Sequence, residues 1–145
     1  MADLDLALGL AAIALNLVAG AVGGLAWAGH RVSIAFWYLL RAGQVATLVF
    51  VVFEFVIYAG GDRADDSLHY LYIVLPVLAS LMGEAMRGAS AGQELGETDF
   101  SSLDPERQRE VGLAIYRRET GVMTATALVI AFLIWRALET TAGMF

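Results

Sequence analysis

Arg41, Gln44 and Glu54 interrupt one long apolar stretch of the chain, Ser80 and Glu84 interrupt the next, Asn16 lies in an earlier one and Arg136 closes the last. A charge at the centre of a bilayer costs at least about 2.5–3.5 kcal/mol, so groups of this kind face protein or water rather than lipid. Their chemistry is that of ion or proton sites, ligand contacts or packing pairs. His69, Tyr72, Pro76, Ser80, Glu84 and Arg87 are spaced 3, 4, 4, 4 and 3 residues apart. At about 100° per residue they form one stripe along a helix. We read the stripe first as a hydrogen-bonded seam between helices. The wall of a hydrophilic path or ligand cleft is the alternative.

Depth along the apolar stretches suggests partners. Arg41 and Glu84 fall at one level, where pairing would offset two desolvation penalties. Glu54 falls near the opposite end, at the level of Arg136 and His69; Arg136 is the first partner expected and His69 the second. Asn16 and Gln44 both fall near the middle and are expected to bond each other. Arg41 and Glu54 are 13 residues apart, about 220° around a helix, so no single site within one chain holds both.

Other signals are discounted on context. Gly88-Ala89-Ser90-Ala91-Gly92 matches the GxSxG nucleophile pattern, but the elbow needs a strand before its serine and an apolar helix precedes this one. The histidines, His30 and His69, fall at opposite ends of the apolar stretches, roughly 30 Å apart at 1.5 Å per residue. That separation excludes a haem held by both within one chain. The acidic run Asp62 to Asp66 could hold a divalent cation weakly; acidic loops of this kind are ordinarily just solvated. No phosphate loop, dinucleotide fingerprint or metal motif is present. No cofactor or metal is expected, and with no Cys in the chain thiolate chemistry is excluded.

The elements that must position these groups are long helices. Four stretches meet the roughly 20-residue requirement for crossing hydrocarbon: about 4–27, 32–58, 69–86 and 120–138. Runs of this length without alternation mean helices, since the backbone must satisfy itself in lipid. The fold expected is an all-α integral membrane protein. Its architecture is an antiparallel four-helix transmembrane bundle with one long charged cytoplasmic loop, 88–118. Within that loop Asp104 reads as an N-cap, Pro105 as the first helical position and Glu106 as first-turn acid, so a helix starts near 105 and continues toward the fourth span. Ala26-Trp27-Ala28 resembles a signal-peptidase site, but Asp3 and Asp5 replace the positive flank and the apolar run is too long; the first helix is expected to be retained. Gly9, Ala12, Asn16, Gly20, Gly23 and Trp27 give it a small face, and Gly20 and Gly24 form a GxxxG pair. Packing within the chain is the first reading of that face, a homodimer seam the second. Aromatic residues near the span ends, among them Trp27, Trp37, Tyr58, Tyr70, Tyr116 and Trp135, fit an interfacial belt.

Bulk composition agrees. The chain is 59% hydrophobic and 17% charged, against about 45–50% and 25% in soluble domains, and its mean hydropathy is +0.67. A net charge of −6 makes nucleic acid a poor partner. Arg31, Arg87, Arg107, Arg109, Arg117 and Arg118 flank one side of the spans, and Arg63 and Arg136 the other. The positive-inside rule then places both termini outside and the long loop in the cytoplasm, in the cell's inner (plasma) membrane. The function expected is non-enzymatic: a small accessory, scaffold or ligand-binding subunit. Membrane lipid, a membrane-protein partner and a second copy of the chain are the candidate partners. An oligomeric ion- or proton-coupled transporter or channel using Arg41, Glu54 and Glu84 is the alternative, and a membrane enzyme or haem protein the weakest.

Overall fold

The structure is a computed structural model, and it describes residues 2–61 and 67–141. The acidic run Asp62–Asp66, with Arg63, lies outside the described residues. Four α-helices follow in order: α1 (Ala2–Ala28), α2 (Ile34–Ala59), α3 (Ser67–Leu95) and α4 (Pro105–Thr141), with a 3-10 turn at Phe100–Ser102. All four are long and apolar enough to cross a membrane, and no strand occurs among the described residues.

Local chemistry sets the boundaries. At the end of α1, Arg31 N–H bonds to Ala26 O (2.9 Å) and His30 N–H to Trp27 O (3.4 Å). This is a Schellman closure with His30, at φ 52°, in the left-handed position that glycine usually fills. The second span was expected from Val32, but α2 starts at Ile34, because the Ser33 side chain caps it by accepting from Phe36 N–H (3.2 Å). The Tyr116 hydroxyl ties that corner to α4, accepting from Ser33 N–H at 2.8 Å.

The largest departure from expectation concerns the long loop. Helix α3 does not end near Met86; it continues to Leu95, and only 96–104 lies outside α-helix. The glycines at 88 and 92 face open space and stay helical, and the chain leaves the helix at Gly96, φ 58°. The projecting part of α3 is tied to α4 by Glu94 with Arg118 (3.2 Å). Asp104 caps α4, accepting from Arg107 N–H at 2.9 Å, and α4 then runs unbroken to Thr141. The GxSxG segment is therefore helical, and Ser90 Oγ donates to Met86 O (3.2 Å) within its own helix. Nothing there forms a nucleophile elbow.

Helix α1 packs along both α2 and α4, and α3 packs along α4; α2 and α3 approach more sparsely. Two apolar clusters fill the interior. One holds Ala12, Phe50, Val51, Ile73, Ile130, Ile134 and Ala137, the other Ala19, Phe36, Leu40, Met123 and Ala127. Between them Asn16 Nδ2 reaches Thr47 Oγ1 (3.0 Å), Ala12 O (2.9 Å) and Gly43 O (3.2 Å). A Cβ at Gly43 would stand 3.0 Å from Asn16 Oδ1, so a larger residue there would push the Asn16 side chain back by a few tenths of an ångström. The small face of α1 is spent inside the chain: Gly20 is buried against the Leu128 side chain of α4, where a Cβ would overlap it. The outward faces are apolar instead; Leu25, Ile34 and Met82 are 75%, 71% and 66% exposed. Apolar residues outside with Asn, Thr, Glu and His inside reverse the usual order of a water-soluble domain.

Candidate functional site

Of the polar residues singled out in the sequence, Arg41, Gln44, Ser80 and Glu84 gather into one assembly and Glu54 and His69 into another, while Asn16 and Arg136 belong to neither. The first lies toward the Arg-rich end. Glu84 is its centre: Oε1 accepts from Arg41 Nη1 (2.6 Å) and Gln44 Nε2 (3.0 Å), and Oε2 accepts from Arg87 Nε (2.8 Å). Arg41 also donates to Gln44 Oε1 (2.6 Å), Gln44 Nε2 approaches Ser80 Oγ (3.3 Å), and Arg87 lies 3.8 Å from Glu119 of α4. The Arg87 guanidinium stands 5.8 Å over the Trp37 ring, and Trp37 Nε1 donates to the Tyr116 hydroxyl at 3.2 Å. Every polar group of the seam has a partner, and the seam is open at the outer face of the bundle: the Arg41 and Glu84 side chains are 51% and 28% exposed.

Gln44 is thus engaged with α3, and the expected Asn16–Gln44 bond is absent. Gln44 follows Gly43 by one residue, a rotation of about 100°, so when Gly43 faces α1 Gln44 points to α3. Asn16 bonds to Gly43 and Thr47 instead.

The second assembly is buried at the other end. Glu54 Oε2 lies 3.3 Å from His69 Nε2. His69 Nδ1 lies 3.2 Å from both Ala137 O and Thr140 Oγ1 of α4. The Asp5 carboxyl of α1 faces that of Glu54. Asp5, Glu54 and His69 are each less than a tenth exposed, and all four helices contribute. Arg136, the first partner expected for Glu54, instead pairs with Glu139 one turn along α4 and stands 5.7 Å over the Tyr72 ring. An arginine that can reach an acid on its own helix and an aromatic face near the surface does not need to enter the interior.

Protonation of this cluster depends on what His69 Nδ1 bonds. If Nδ1–H donates to Ala137 O, which only accepts, Nε2 meets Glu54 either as an imidazolium donor or as an acceptor from a protonated Glu54, one proton more than carboxylate plus neutral imidazole. If Nδ1 instead accepts from the Thr140 hydroxyl, Nε2–H donates to the Glu54 carboxylate and the imidazole is neutral. One oxygen on each acid, Asp5 Oδ1 and Glu54 Oε1, is buried without a hydrogen-bond partner. Among the described residues no group of three or more His, Cys, Asp or Glu is arranged to hold a metal ion.

Along α3 the two assemblies are separated. Ser80 lies 11 residues from His69, about 16 Å along the helix. Buried Pro76 and the apolar cluster around Phe50, Ile73 and Ile130 occupy the interval. The stripe read from spacing is one face of one helix, but its polar groups do not form a continuous chain.

Asp5 was overlooked in the sequence, where it served only to argue against a signal peptide. A signal was present. Asp5, Gly9, Ala12, Asn16, Gly20 and Gly23 are spaced 4, 3, 4, 4 and 3, so the small face of α1 extends back to Asp5 and carries it inward. Also unforeseen is a cleft of about 260 Å³ beside the α1–α2 turn, walled by that turn and by residues 113–120 of α4. No family model, curated protein or solved structure matches the chain.

Proposed function

We propose that this chain is a multi-pass integral membrane protein whose four helices form an antiparallel bundle, and that it acts without catalysis, as an accessory, scaffold or ligand-binding subunit. The antiparallel order is supported by how contacts progress: Gly23 meets Phe36 and Asn16 meets Thr47 between α1 and α2, while Arg87 meets Glu119 and His69 meets Thr140 between α3 and α4. Membrane insertion is supported by apolar outward faces, with Asn16, Thr47, Glu54 and His69 turned inside. By the distribution of arginine, both ends of the chain lie outside the inner (plasma) membrane, and the projecting α3–α4 hairpin lies in the cytoplasm.

The observation that carries the non-transporting reading is the closure of the α2–α3 seam. Glu84 spends both oxygens on three donors, and an apolar layer separates it from His69. A conduit needs sites that release what they bind. Reconstitution into liposomes tests this directly. Wild-type protein is expected to give no proton or cation flux above empty vesicles. Flux that Glu84→Gln abolishes, with the fold intact, overturns it. A reporter fused to the C-terminus is expected outside the cytoplasm.

A second reading has an observation of its own. The Asp5–Glu54–His69 cluster is buried, sets two acids beside an imidazole and has unpartnered oxygens, which suits a proton-binding site. Proton flux lost in Glu54→Gln but retained in Glu84→Gln would move the function to this cluster.

A further inference from the structure

Five of the described arginines have an acidic partner: Arg41, Arg87, Arg107, Arg118 and Arg136. Arg31, Arg109 and Arg117 have none among the described residues, although the chain carries an excess of acid, with a net charge of −6. Two of these three, Arg31 and Arg117, line the same cleft. No Asp or Glu lines it. Its walls include Trp27, Val32 and Leu113, with His30 at the rim of the turn. Arg117 stands 5.5 Å over the Trp27 ring, which fixes its guanidinium beside the opening without neutralising it. The cleft lies where α1 ends and α4 passes from its charged first part into its apolar part, the depth of a headgroup layer under the orientation proposed above.

We propose that this cleft binds the phosphate of an anionic phospholipid. The two unpaired arginines take the phosphate oxygens, and Trp27, Val32 and Leu113 pack against the glycerol and upper acyl chain. Guanidinium groups match phosphate geometry with paired N–H donors, and basic pockets between membrane helices suit anionic headgroups. A free phosphate shares the anion but leaves the apolar walls uncovered. This inference rests on the ligand-binding form of the membrane reading and names a ligand class for it.

Native mass spectrometry of the full chain from mild detergent tests it, with titration by dioleoyl phosphatidylglycerol, dioleoyl phosphatidylcholine and inorganic phosphate. One phosphatidylglycerol is expected to bind, and phosphatidylcholine more weakly. Arg31→Gln should weaken phosphatidylglycerol about fivefold, and Arg31→Gln with Arg117→Gln about 25-fold, taking each arginine near a charged surface at its ordinary weight. Arg109→Gln should change nothing. Arg31 makes no ion pair, so its variant tests the cleft even if loss of the Arg117–Trp27 stack disturbs the fold. Equal binding of the two lipids overturns the proposal, as does an Arg109→Gln loss as large as that of Arg31→Gln. Inorganic phosphate bound as tightly as phosphatidylglycerol, with the same arginine dependence, also overturns it and assigns the cleft to a soluble anion. Failure of the chain to float with liposomes would instead remove the membrane reading itself; flotation without lipid selectivity removes only this inference.

Discussion

The Glu84 assembly and the Glu54 assembly each set a glutamate against a basic side chain across α2 and α3, yet they solve opposite problems. Around Glu84, side chains are a quarter to a half exposed, hydrogen bonds are as short as 2.6 Å and the carboxylate is shared among three donors. Around Glu54, the Glu54 and His69 side chains are 9% and 3% exposed, the contact is 3.3 Å, and a second acid faces the first. Where a pair is partly open and the carboxylate has other donors, the ion pair adds little and is redundant. Where water is excluded, the pair gains little over an apolar replacement, but loss of one member is costly because the survivor has nowhere to turn. The difference teaches that the number of bonds drawn around an acid is a poor guide to how much the fold depends on it.

The largest expected effect follows from that contrast. Glu54→Ala leaves the His69 imidazole buried without its Nε2 partner and should cost about 3 kcal/mol of stability. Glu84→Ala, at the better-bonded site, should cost about 1 kcal/mol. Unfolding by sodium dodecyl sulfate from mild detergent micelles, followed by circular dichroism, ranks the two. A cost for Glu84→Ala equal to or above that for Glu54→Ala would break the comparison.

A charge reversal sharpens the exposed half. Arg41→Glu and Glu84→Arg should each destabilise. Together they should fall short of the sum by about 0.5–1 kcal/mol, the usual coupling of a solvated pair. Recovery should be incomplete, because Arg87 also leans on residue 84 and would face a new positive charge. Adding Arg87→Gln to the double variant should recover the remainder. Strict additivity of the single changes would mean that Arg41 and Glu84 do not interact.

How legible this contrast is in the sequence depends on the element. The four long helices follow from run length, and the Arg41–Glu84 contact follows from matched depth, because neighbouring long helices leave few alternatives. The inner face of α1 was also legible, but Asp5 was not, because an acid beside the chain start reads as a solvated flank until its spacing to Gly9 and Asn16 is counted. The continuation of α3 past Met86 was hidden by Gly88, Gly92 and nearby charges. These read locally as a loop, and packing on α4 through Glu94 and Arg118 overrides that local preference. The Glu54–His69 pairing stood second to Glu54–Arg136 because depth alone cannot show that Arg136 is satisfied by Glu139 and Tyr72. The cleft required two segments some 85 residues apart in sequence, and no local pattern carries that.

The smallest expected effect is the most discriminating, because one chemical change should act with opposite sign at the two sites. Glu84→Gln converts an acceptor of three hydrogen bonds into a group that accepts on one atom only. Arg87 Nε or Arg41 then meets an amide nitrogen, and stability should fall. Asp5→Asn does the reverse. Asp5 Oδ1 and Glu54 Oε1 are both buried without partners, and two acids facing each other in that setting oppose one another unless a proton lies between them. An asparagine at position 5 removes one charge and brings an N–H that can reach the unpartnered Glu54 oxygen, so stability should rise by about 0.5–1 kcal/mol, the net value of one hydrogen bond. The same detergent denaturation measures both variants. A loss in Asp5→Asn comparable to that in Glu84→Gln would show that Asp5 is needed as an acid, which is the outcome a proton-handling cluster requires and a purely structural one does not.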